Sequence, residues 1–258
     1  MKKIFALALV IMLAFLMVAC TEPAPVDDNN QVEDQQNQEV TQDDQTTEQD
    51  QTPAEEEKVM TYEEYMAAEL DSPVVVETFV QAKQSWWQDK ATVYTQNSDG
   101  AYFIYEMACS EEDYAELVPG TKIKVKGFKS EWSGEIEIVD ATFEIMENEI
   151  FVANPMDATA LLGTDELIAH QNKLVSFSGM TVESIEYKNG EPGDDIYVTL
   201  SKDGVSYNFC VEVYLTGTES EVYNTVGTLE AGNTVNVEAF LYWYEGANPH
   251  ITAIELAE

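Results

Sequence analysis

The sequence contains no arginine, and its 12 basic residues are all lysines. They stand against 49 acidic residues, which gives a formal net charge of −37. Nucleic-acid binding draws much of its affinity from cations that neutralise phosphate, and arginine provides forked contacts to phosphate and guanine. The composition therefore argues against a nucleic-acid partner and favours a neutral or cationic one.

Recognisable catalytic motifs are also missing from the sequence. Its two histidines, His170 and His250, belong to no known motif, and we expect each to lie at a helix end or a strand end. There is no nucleophile elbow or phosphate-binding loop, and the acidic turn at residues 191–195 lacks the spacing of a calcium loop. Carboxylates are so numerous that their spacing cannot identify an acid–base pair. We therefore predict no enzymatic activity, no cofactor and no metal site.

The amino-terminal segment has the pattern of an export signal. Lys2 and Lys3 follow the initial methionine, residues 4–18 are apolar, and Ala19 precedes Cys20. A basic start, an apolar core and a small residue before the cut are typical of a secretory signal. An uncleaved membrane anchor is the alternative, although ~15 apolar residues are fewer than the ~20 that span a bilayer.

The end of this segment, Leu-Met-Val-Ala-Cys at residues 16–20, resembles the bacterial lipobox. In lipoproteins with this motif the cysteine thiol is diacylated before cleavage. The resemblance implies that residues 1–19 are a signal peptide and that Cys20 becomes the lipid-bearing first residue. The mature chain would then be anchored to the cell membrane on its extracytoplasmic side.

Residues 20–58 are predicted to form a disordered tether. From residue 21 onward this segment has 13 acidic residues and one lysine, and its sizeable apolar residues are Val26, Val32 and Val40. Such a segment cannot bury enough surface to offset the entropy of ordering, and its charges repel one another. We interpret it as a spacer between the lipid and the folded part.

An internal repeat divides the remaining residues into two copies. Residues 119–128 align with residues 231–240, and the second copy carries an insertion of about eight residues between residues 216 and 228. Repeated sequence of this kind indicates a duplicated structural unit. The offset that aligns the two segments also pairs Trp132 with Tyr244 and Gly134 with Gly246.

Each copy is predicted to contain five strands, because β-branched and aromatic runs are separated by turn residues. The runs are residues 74–87, 91–95, 101–107, 122–128 and 135–145 in the first copy, and residues 173–185, 195–200, 205–214, 234–244 and 250–256 in the second.

Short helices are predicted before the first strand and between the third and fourth strands. Thr61 and Glu64 have the spacing of a capping box, and Ser110 is placed as an N-cap. The predicted helical segments are residues 62–70, 110–117, 165–170 and 219–226.

Five strands with a helix between the third and fourth is the order of the OB-fold, whose strands 2 and 3 and adjoining loops commonly bind ligand. Gly-Thr-Lys-Ile-Lys-Val-Lys-Gly at residues 120–127 resembles the G-x-x-V-x-V-x-G rhythm of OB-fold proteins, although Ala239 replaces the last glycine in the second copy. We therefore predict a mostly β protein with two tandem OB-like five-stranded barrels, at residues 59–150 and 151–258.

From Tyr62 to Leu256 the chain resembles the tandem OB-fold lipoproteins of low-GC Gram-positive bacteria, whose biochemical role is generally unassigned. One basic feature runs against the acidic composition, since Lys122, Lys124 and Lys126 alternate on one strand with Lys129 just beyond them. This stripe could bind an oligonucleotide. The alternative is cross-strand pairing with Glu135 and Glu137 on the following strand.

Aromatic residues are the candidate ligand contacts. Adjacent aromatic side chains on a strand alternate in direction, so they cannot all face the barrel interior. Exposed rings stack on sugars or on apolar peptide groups, and acidic surroundings argue against bases. The alternative is that the rings seal the barrel ends or the interface between the units. The candidates are Trp86, Trp87, Tyr94, Tyr102, Trp132, Tyr242, Trp243 and Tyr244.

Two cysteines, Cys109 and Cys210, lie near the ends of the two third strands. A disulfide is permitted outside the cell but would have to bridge the two units, so we expect two separate buried thiols. The sequence as a whole favours a lipid-anchored binding or scaffolding module for a glycan or peptide ligand. Oligonucleotide binding through residues 122–129 and a purely structural envelope role are the alternatives.

Overall fold

The computed structural model describes residues 58–257. The predicted signal peptide, the predicted lipidation site Cys20 and the predicted tether before Lys58 lie outside the described residues. Within residues 58–257, no helix combines the length and the apolar character needed to cross a bilayer.

The first barrel contains five strands and two short helices. These elements are α1 (Tyr62–Ala67), β1 (Pro73–Lys83), β2 (Lys90–Gln96), β3 (Ala101–Ala108), α2 (Glu111–Glu116), β4 (Thr121–Trp132) and β5 (Glu135–Ile150).

The strands of the first sheet close into a barrel in the order β1-β2-β3-β5-β4. All pairs are antiparallel except β3 with β5, where Phe103 lies beside Glu137 in a parallel pair. This is the strand order of the OB-fold, as the sequence predicts. Buried side chains of β1, β2, β3, β4 and β5 fill the barrel together with Tyr65 of α1.

The helix caps form as predicted. The Thr61 hydroxyl accepts from the Glu64 backbone N–H, while the Glu64 carboxylate accepts from the Thr61 N–H, which completes the capping box. Ser110 caps α2 through the Asp113 N–H. Helix α1 ends at Ala67, before the predicted end at residue 70, because Ala68 has extended backbone angles.

Several predicted strand boundaries differ from the structure, among them the ends of β1 and β4 in the first barrel. Strand β1 ends at Lys83, so Trp86 and Trp87 lie in the loop that follows it. Strand β4 continues to Trp132, and it pairs with β5 from its first residue to its last. The long β4–β5 hairpin therefore extends well beyond the predicted residues 122–128.

The second sheet repeats this arrangement with additional short elements. They are β6 (Met156–Asp157), 3-10 turns at Thr159–Leu161 and Leu167–His170, β7 (Leu174–Tyr187), β8 (Ile196–Lys202), β9 (Val205–Val211), α3 (Val213–Thr216), α4 (Glu221–Val226), β10 (Thr234–Phe240) and β11 (His250–Leu256).

The strand order of the second sheet is β10-β11-β9-β8-β7-β6, and an additional β10–β7 pairing joins five of these strands into a ring. The ring has the connectivity of the first barrel, including one parallel pair, in which His250 lies beside Cys210. The sequence insertion contains α4, whose buried Val222, Tyr223 and Val226 pack against the second core.

The two barrels belong to one compact unit and share direct contacts. Tyr94 and Phe103 of the first barrel form a small buried cluster with Phe240 of the second. The Tyr94 and Phe240 rings are stacked with centroids 4.4 Å apart. Because the second barrel covers the outer surface of β2, every residue from Ala91 to Thr95 is buried.

The tips of the two equivalent hairpins also meet. Ser133 and Gly134 form the β4–β5 turn, and Glu245 and Gly246 occupy the corresponding positions of the second copy; all four have positive φ. The Glu245 N–H donates to the Ser133 carbonyl oxygen at 2.8 Å. A Cβ at Gly134 would lie 2.8 Å from the Trp243 ring, so this turn requires glycine both for its φ and for the close approach.

Candidate functional site

A cleft of about 670 Å³ lies between the two barrels. The first barrel contributes the loop after β1 and residues of β2, β3, β4 and β5. The second contributes residues that follow β9 and β10 and the first residue of β11. The aromatic side chains that line the cleft are Trp86, Trp87, Phe103, Tyr105, Trp132, Tyr214 and Tyr242.

Four of the eight predicted aromatic candidates line this cleft. Trp87 and Trp132 are the most accessible, with 67% and 60% of their surface exposed. Trp86 is half-buried, and its indole N–H donates to the Cys109 carbonyl oxygen at 2.9 Å. Tyr242 packs edge to face against Phe103, with ring centroids 5.3 Å apart. These contacts fix the inner rings while the outer two indoles reach solvent.

The prediction is wrong for Tyr94 and Tyr102, which are buried and present no surface to a ligand. Tyr102 packs in the first core beside the ring of Tyr65. Tyr94 seals the contact between the barrels, which is the alternative that the sequence left open for these rings. Period-2 alternation placed both residues on strands, but it carries no information about what covers the outer face of a strand.

The other two candidates lie beside the cleft. Trp243 packs against the second core. Tyr244 has 49% of its surface exposed and lines a neighbouring cavity of about 550 Å³ on the β8–β9 side of the second barrel. Tyr242, His250 and Glu212 line both cavities and form the wall between them. We refer to these three side chains as the shared wall.

Two glutamates in the cleft are largely removed from water. Glu137 at the start of β5 is 7% exposed, and burial raises the pKa of its carboxyl to about 7. Glu212, which follows β9, has a side chain that is 15% exposed. Burial, with a smaller contribution from the charge of Asp195, raises the pKa of Glu212 to about 7.

The position of Glu212 is fixed by a contact between the barrels. The Gln84 amide nitrogen, in the loop after β1, donates to both carboxylate oxygens of Glu212 at 2.9 and 2.8 Å. Next to this pair, the Ser85 N–H donates to the Tyr214 carbonyl oxygen at 2.7 Å. The loop that carries the two tryptophans is therefore tied to the second barrel.

His250 occupies the predicted strand-end position at the start of β11, but the fold gives it partners that the sequence did not indicate. Its Nδ1 is 2.8 Å from the Tyr94 hydroxyl oxygen and 3.6 Å from the nearer Glu212 oxygen. Its ring stacks on Tyr242 with centroids 4.4 Å apart. Burial lowers the pKa of His250 to about 4, so the imidazole is neutral at pH 7. His170 lies at the end of a 3-10 turn, as predicted.

The lysine stripe lies on the outer face of β4 and is engaged in cross-strand contacts. The Lys122 Nζ lies 3.1 Å from a carboxylate oxygen of Glu77 on β1 and 3.1 Å from one of Glu149 on β5. Lys124 lies opposite Glu77 and opposite Glu144 in the strand register. Cross-strand pairing of the lysines therefore occurs. It is the alternative to oligonucleotide binding that the sequence left open.

The prediction that Glu135 and Glu137 pair with the lysines of the stripe is wrong. The two glutamates lie opposite Trp132 and Ser130, because β4 continues to the hairpin turn and the register pairs its last residues with the first residues of β5. Lys129 is not part of the outer stripe, since it is 5% exposed. Its Nζ donates to the carbonyl oxygens of residues 66 and 68, at the carboxyl end of α1.

Glu135 lies next to the cleft and is completely buried. One carboxylate oxygen accepts from the backbone N–H of Trp243 at 2.8 Å, and the other has no hydrogen-bond partner among the described residues. Burial raises the pKa of Glu135 to about 8. A carboxyl of this kind is mostly protonated at pH 7.

The cysteines Cys109 and Cys210 are free buried thiols, which confirms the prediction that they are not paired. Burial raises the pKa of both thiols, to about 11 for Cys109. A thiol with a raised pKa is a poor nucleophile at neutral pH.

No three His, Cys, Asp or Glu side chains between residues 58 and 257 converge to hold a metal ion. In the acidic turn at residues 191–195, Asp194 and Asp195 instead pair with Lys188, whose Nζ lies 3.4 and 2.9 Å from their carboxylate oxygens.

No protein-family model matches this chain, and no curated protein matches it in sequence. Among solved structures it is similar to a murine DNA-binding protein bound with double-stranded DNA, at 13% identity over 72% of this chain and 97% of that one, with a TM-score of 0.33. The Ifi202 HINa domain in complex with 20-bp double-stranded DNA gives 13% identity over 72% and 96% of the two chains, with a TM-score of 0.34.

A third similar structure is asparaginyl-tRNA synthetase from Pyrococcus horikoshii complexed with asparaginyl-adenylate. It is 19% identical over 33% of this chain, with a TM-score of 0.28. This chain spans 19% of the length of that synthetase chain. At these identities and scores, none of the three assigns a function to the present chain.

Proposed function

We propose that this protein is an extracytoplasmic binding module of the tandem OB-fold lipoprotein type, tethered to the membrane through lipidated Cys20. Its ligand is a neutral or cationic molecule, a glycan or a peptide group, held in the cleft between the barrels. The observation that carries the proposal is the cleft itself. It has accessible indoles at its rim and a volume within the ~300–1,000 Å³ typical of small-molecule sites.

Rigid walls support a binding role. The hydrogen bonds from Gln84 to Glu212 and from Ser85 to Tyr214 hold the tryptophan loop in place, so little entropy is lost when a ligand enters. A binding rather than catalytic role is favoured because the lowered pKa of His250 makes its imidazole a weak base, and because the raised pKa values of both thiols make them poor nucleophiles.

The ligand part of the proposal is tested by titrating the full-length chain with N-acetylglucosamine oligosaccharides and with trilysine. Trp87→Ala and Trp132→Ala should each weaken the binding of a ligand by roughly tenfold, because each removes a ring face from the cleft. Phe128→Ala is the matched control, since Phe128 is an exposed aromatic residue of β4 that does not line the cleft. Equal affinities of all three variants for every bound ligand would contradict the proposal.

The anchor is tested separately by metabolic labelling with palmitate. The wild-type chain should incorporate the label and sediment with membranes, whereas Cys20→Ala should do neither, because the acylated thiol is lost. The oligonucleotide alternative predicts retention of the protein on single-stranded DNA at low salt, with strong weakening as salt is raised. Such retention, lost in Lys124→Ala and kept in Trp132→Ala, would replace the ligand proposal.

A further inference from the structure

The charges in the cleft do not balance. Of the described residues that line it, Lys90 is the one lysine, and it is hydrogen-bonded to Glu106 at the rim. Glu137 and Glu212 remain, one from each barrel, and His250 beside Glu212 is neutral. The cleft therefore presents two carboxyl groups that no lining lysine neutralises.

Both carboxyls have already lost much of their hydration in the free protein. Glu137 is 7% exposed, and loss of hydration is the single cause of its raised pKa. Glu212 is held by Gln84 and lies near the charge of Asp195, which also raises its pKa. A buried carboxylate without a cationic partner is unfavourable, and a cation placed beside it recovers much of that energy.

The remaining lining is suited to the same kind of ligand. Seven aromatic side chains line the cleft together with these carboxyls. The face of an aromatic ring attracts an ammonium or guanidinium group, and the attraction grows when water is excluded. A neutral sugar would use the rings and would donate hydroxyl hydrogen bonds to the carboxyls, but it would bring no positive charge to them.

We infer that the cleft selects a small organic cation, whose positively charged group lies among the aromatic side chains beside the carboxyls of Glu137 and Glu212. This inference rests on the proposed function and specifies its ligand class. A metal ion is disfavoured, since no metal-binding cluster exists among the described residues and a volume near 670 Å³ greatly exceeds a single ion.

The inference is tested with pairs of probes that have the same shape and differ in charge. Choline is compared with 3,3-dimethylbutan-1-ol, and 1,5-diaminopentane with 1,5-pentanediol, by titration of the full-length chain in ~0.15 M salt, which screens long-range attraction to the acidic surface. At least one cation should bind tenfold or more tightly than its neutral partner. Its binding should shift the indole N–H resonances of Trp87 and Trp132.

The contribution of the carboxyls is tested with Glu137→Gln and Glu212→Gln. Each should reduce the preference for the cation about tenfold, while the affinity for the neutral probe changes little. Glu147→Gln is the matched control, because Glu147 is an exposed glutamate of β5 outside the cleft. Nonspecific attraction to the acidic chain would instead respond equally to all three substitutions. Should Glu212→Gln fail to fold, Glu137→Gln carries the test alone.

The outcomes separate this inference from the proposal on which it rests. If neither cation is preferred over its neutral partner, or if the preference survives Glu137→Gln, the inference is wrong. If an oligosaccharide nevertheless binds in a manner that depends on Trp132, the cleft is a ligand site for neutral molecules and the proposed function stands. If no probe, oligosaccharide or peptide binds, both fail.

Discussion

The two barrels share one architecture but carry different chemistry. Both have the same strand order and one parallel pair, and both break their strand register at the corresponding place, near Gly127 in the first copy and Ala239 in the second. The differences concern charge. At the start of β5 the first barrel has the buried Glu135 and Glu137, whereas the aligned positions of the second hold Ala247 and Pro249.

The backbone frame is common to both copies, whereas their polar groups differ. The lysines of β4 have no counterpart in the second barrel, where Thr234, Asn236 and Glu238 occupy the aligned positions. The second barrel instead carries the insertion with α4 and the acidic Glu212, which lines the cleft.

The largest effect is expected for the pH dependence of stability when Glu135 is replaced by glutamine. Burial raises the pKa of Glu135 from 4.5 to about 8, so the folded state holds the proton more tightly than the unfolded state. The contribution of the protonated Glu135 carboxyl to stability is fully present below its pKa in the unfolded state. This contribution is lost as the pH rises through its pKa in the folded state. The loss should be on the order of 3 kcal/mol between about pH 5 and about pH 8.

Urea unfolding of wild type and Glu135→Gln at several pH values measures this effect, and the variant should show a flatter profile. Glu147→Gln, an exposed substitution on the same strand, should retain the wild-type slope. Parallel profiles for wild type and Glu135→Gln would contradict the assignment of the pH response to this buried carboxyl.

The second prediction exchanges glycine and alanine at the bulge that each barrel has at the aligned position. A Cβ at Gly127 would lie 2.7 Å from the Val139 carbonyl oxygen, so Gly127→Ala should destabilise the protein by about 2 kcal/mol. Ala239→Gly, at the aligned position of the second barrel, should cost about 1 kcal/mol through lost burial and added chain entropy. The free energy of unfolding in urea measures both. A larger loss for Ala239→Gly would show that the two bulges are not equivalent.

The third prediction concerns the hydrogen bond that joins the barrels. Tyr94→Phe removes the hydroxyl bonded to His250 and should destabilise the protein by about 1.5 kcal/mol, because the buried Nδ1 loses its partner. Tyr65→Phe is the matched control, since the buried Tyr65 hydroxyl has no hydrogen-bond partner among residues 58–257. That control should be neutral or stabilising. Similar losses in both variants would mean that ring packing, and not this hydrogen bond, determines the effect.

The smallest effect is expected for Lys122→Thr, which gives the first barrel the residue that the second has at position 234. The carboxylate partners of Lys122 remain open to water, with side chains that are 29% exposed for Glu77 and 62% exposed for Glu149, and such ion pairs contribute little. The loss should therefore be about 0.5 kcal/mol. The difference from wild type should shrink further in concentrated salt. A loss above about 2 kcal/mol would indicate that the stripe has a structural role beyond ion pairing.

Local patterns in the sequence predict much of the fold. Thr61 with Glu64 and Ser110 identify helix starts through hydrogen bonds within three residues, and these form as expected. The repeat predicts that the second copy follows the first, including the paired turns at residues 133–134 and 245–246. Each of these signals depends on neighbours in the chain or on direct comparison of two segments.

The candidate site depends on contacts that such patterns do not contain. Strand β2 is buried on both faces because the second barrel covers it, so alternation could not reveal that Tyr94 is inaccessible. The partners of His250 come from the first barrel and from the segment after β9, and no spacing in the sequence brings them together. Sequence reasoning also missed Glu137 and Glu212 as cleft residues, because the sequence has many glutamates and only the fold shows which of them line the cleft.

The shared wall separates two cavities. Tyr242, His250 and Glu212 face the cleft on one side and the cavity beside β8 and β9 on the other. A side chain in this position cannot shift toward one space without enlarging the other. A molecule that entered between the barrels and displaced the Tyr242 ring would therefore change the volume of the neighbouring cavity.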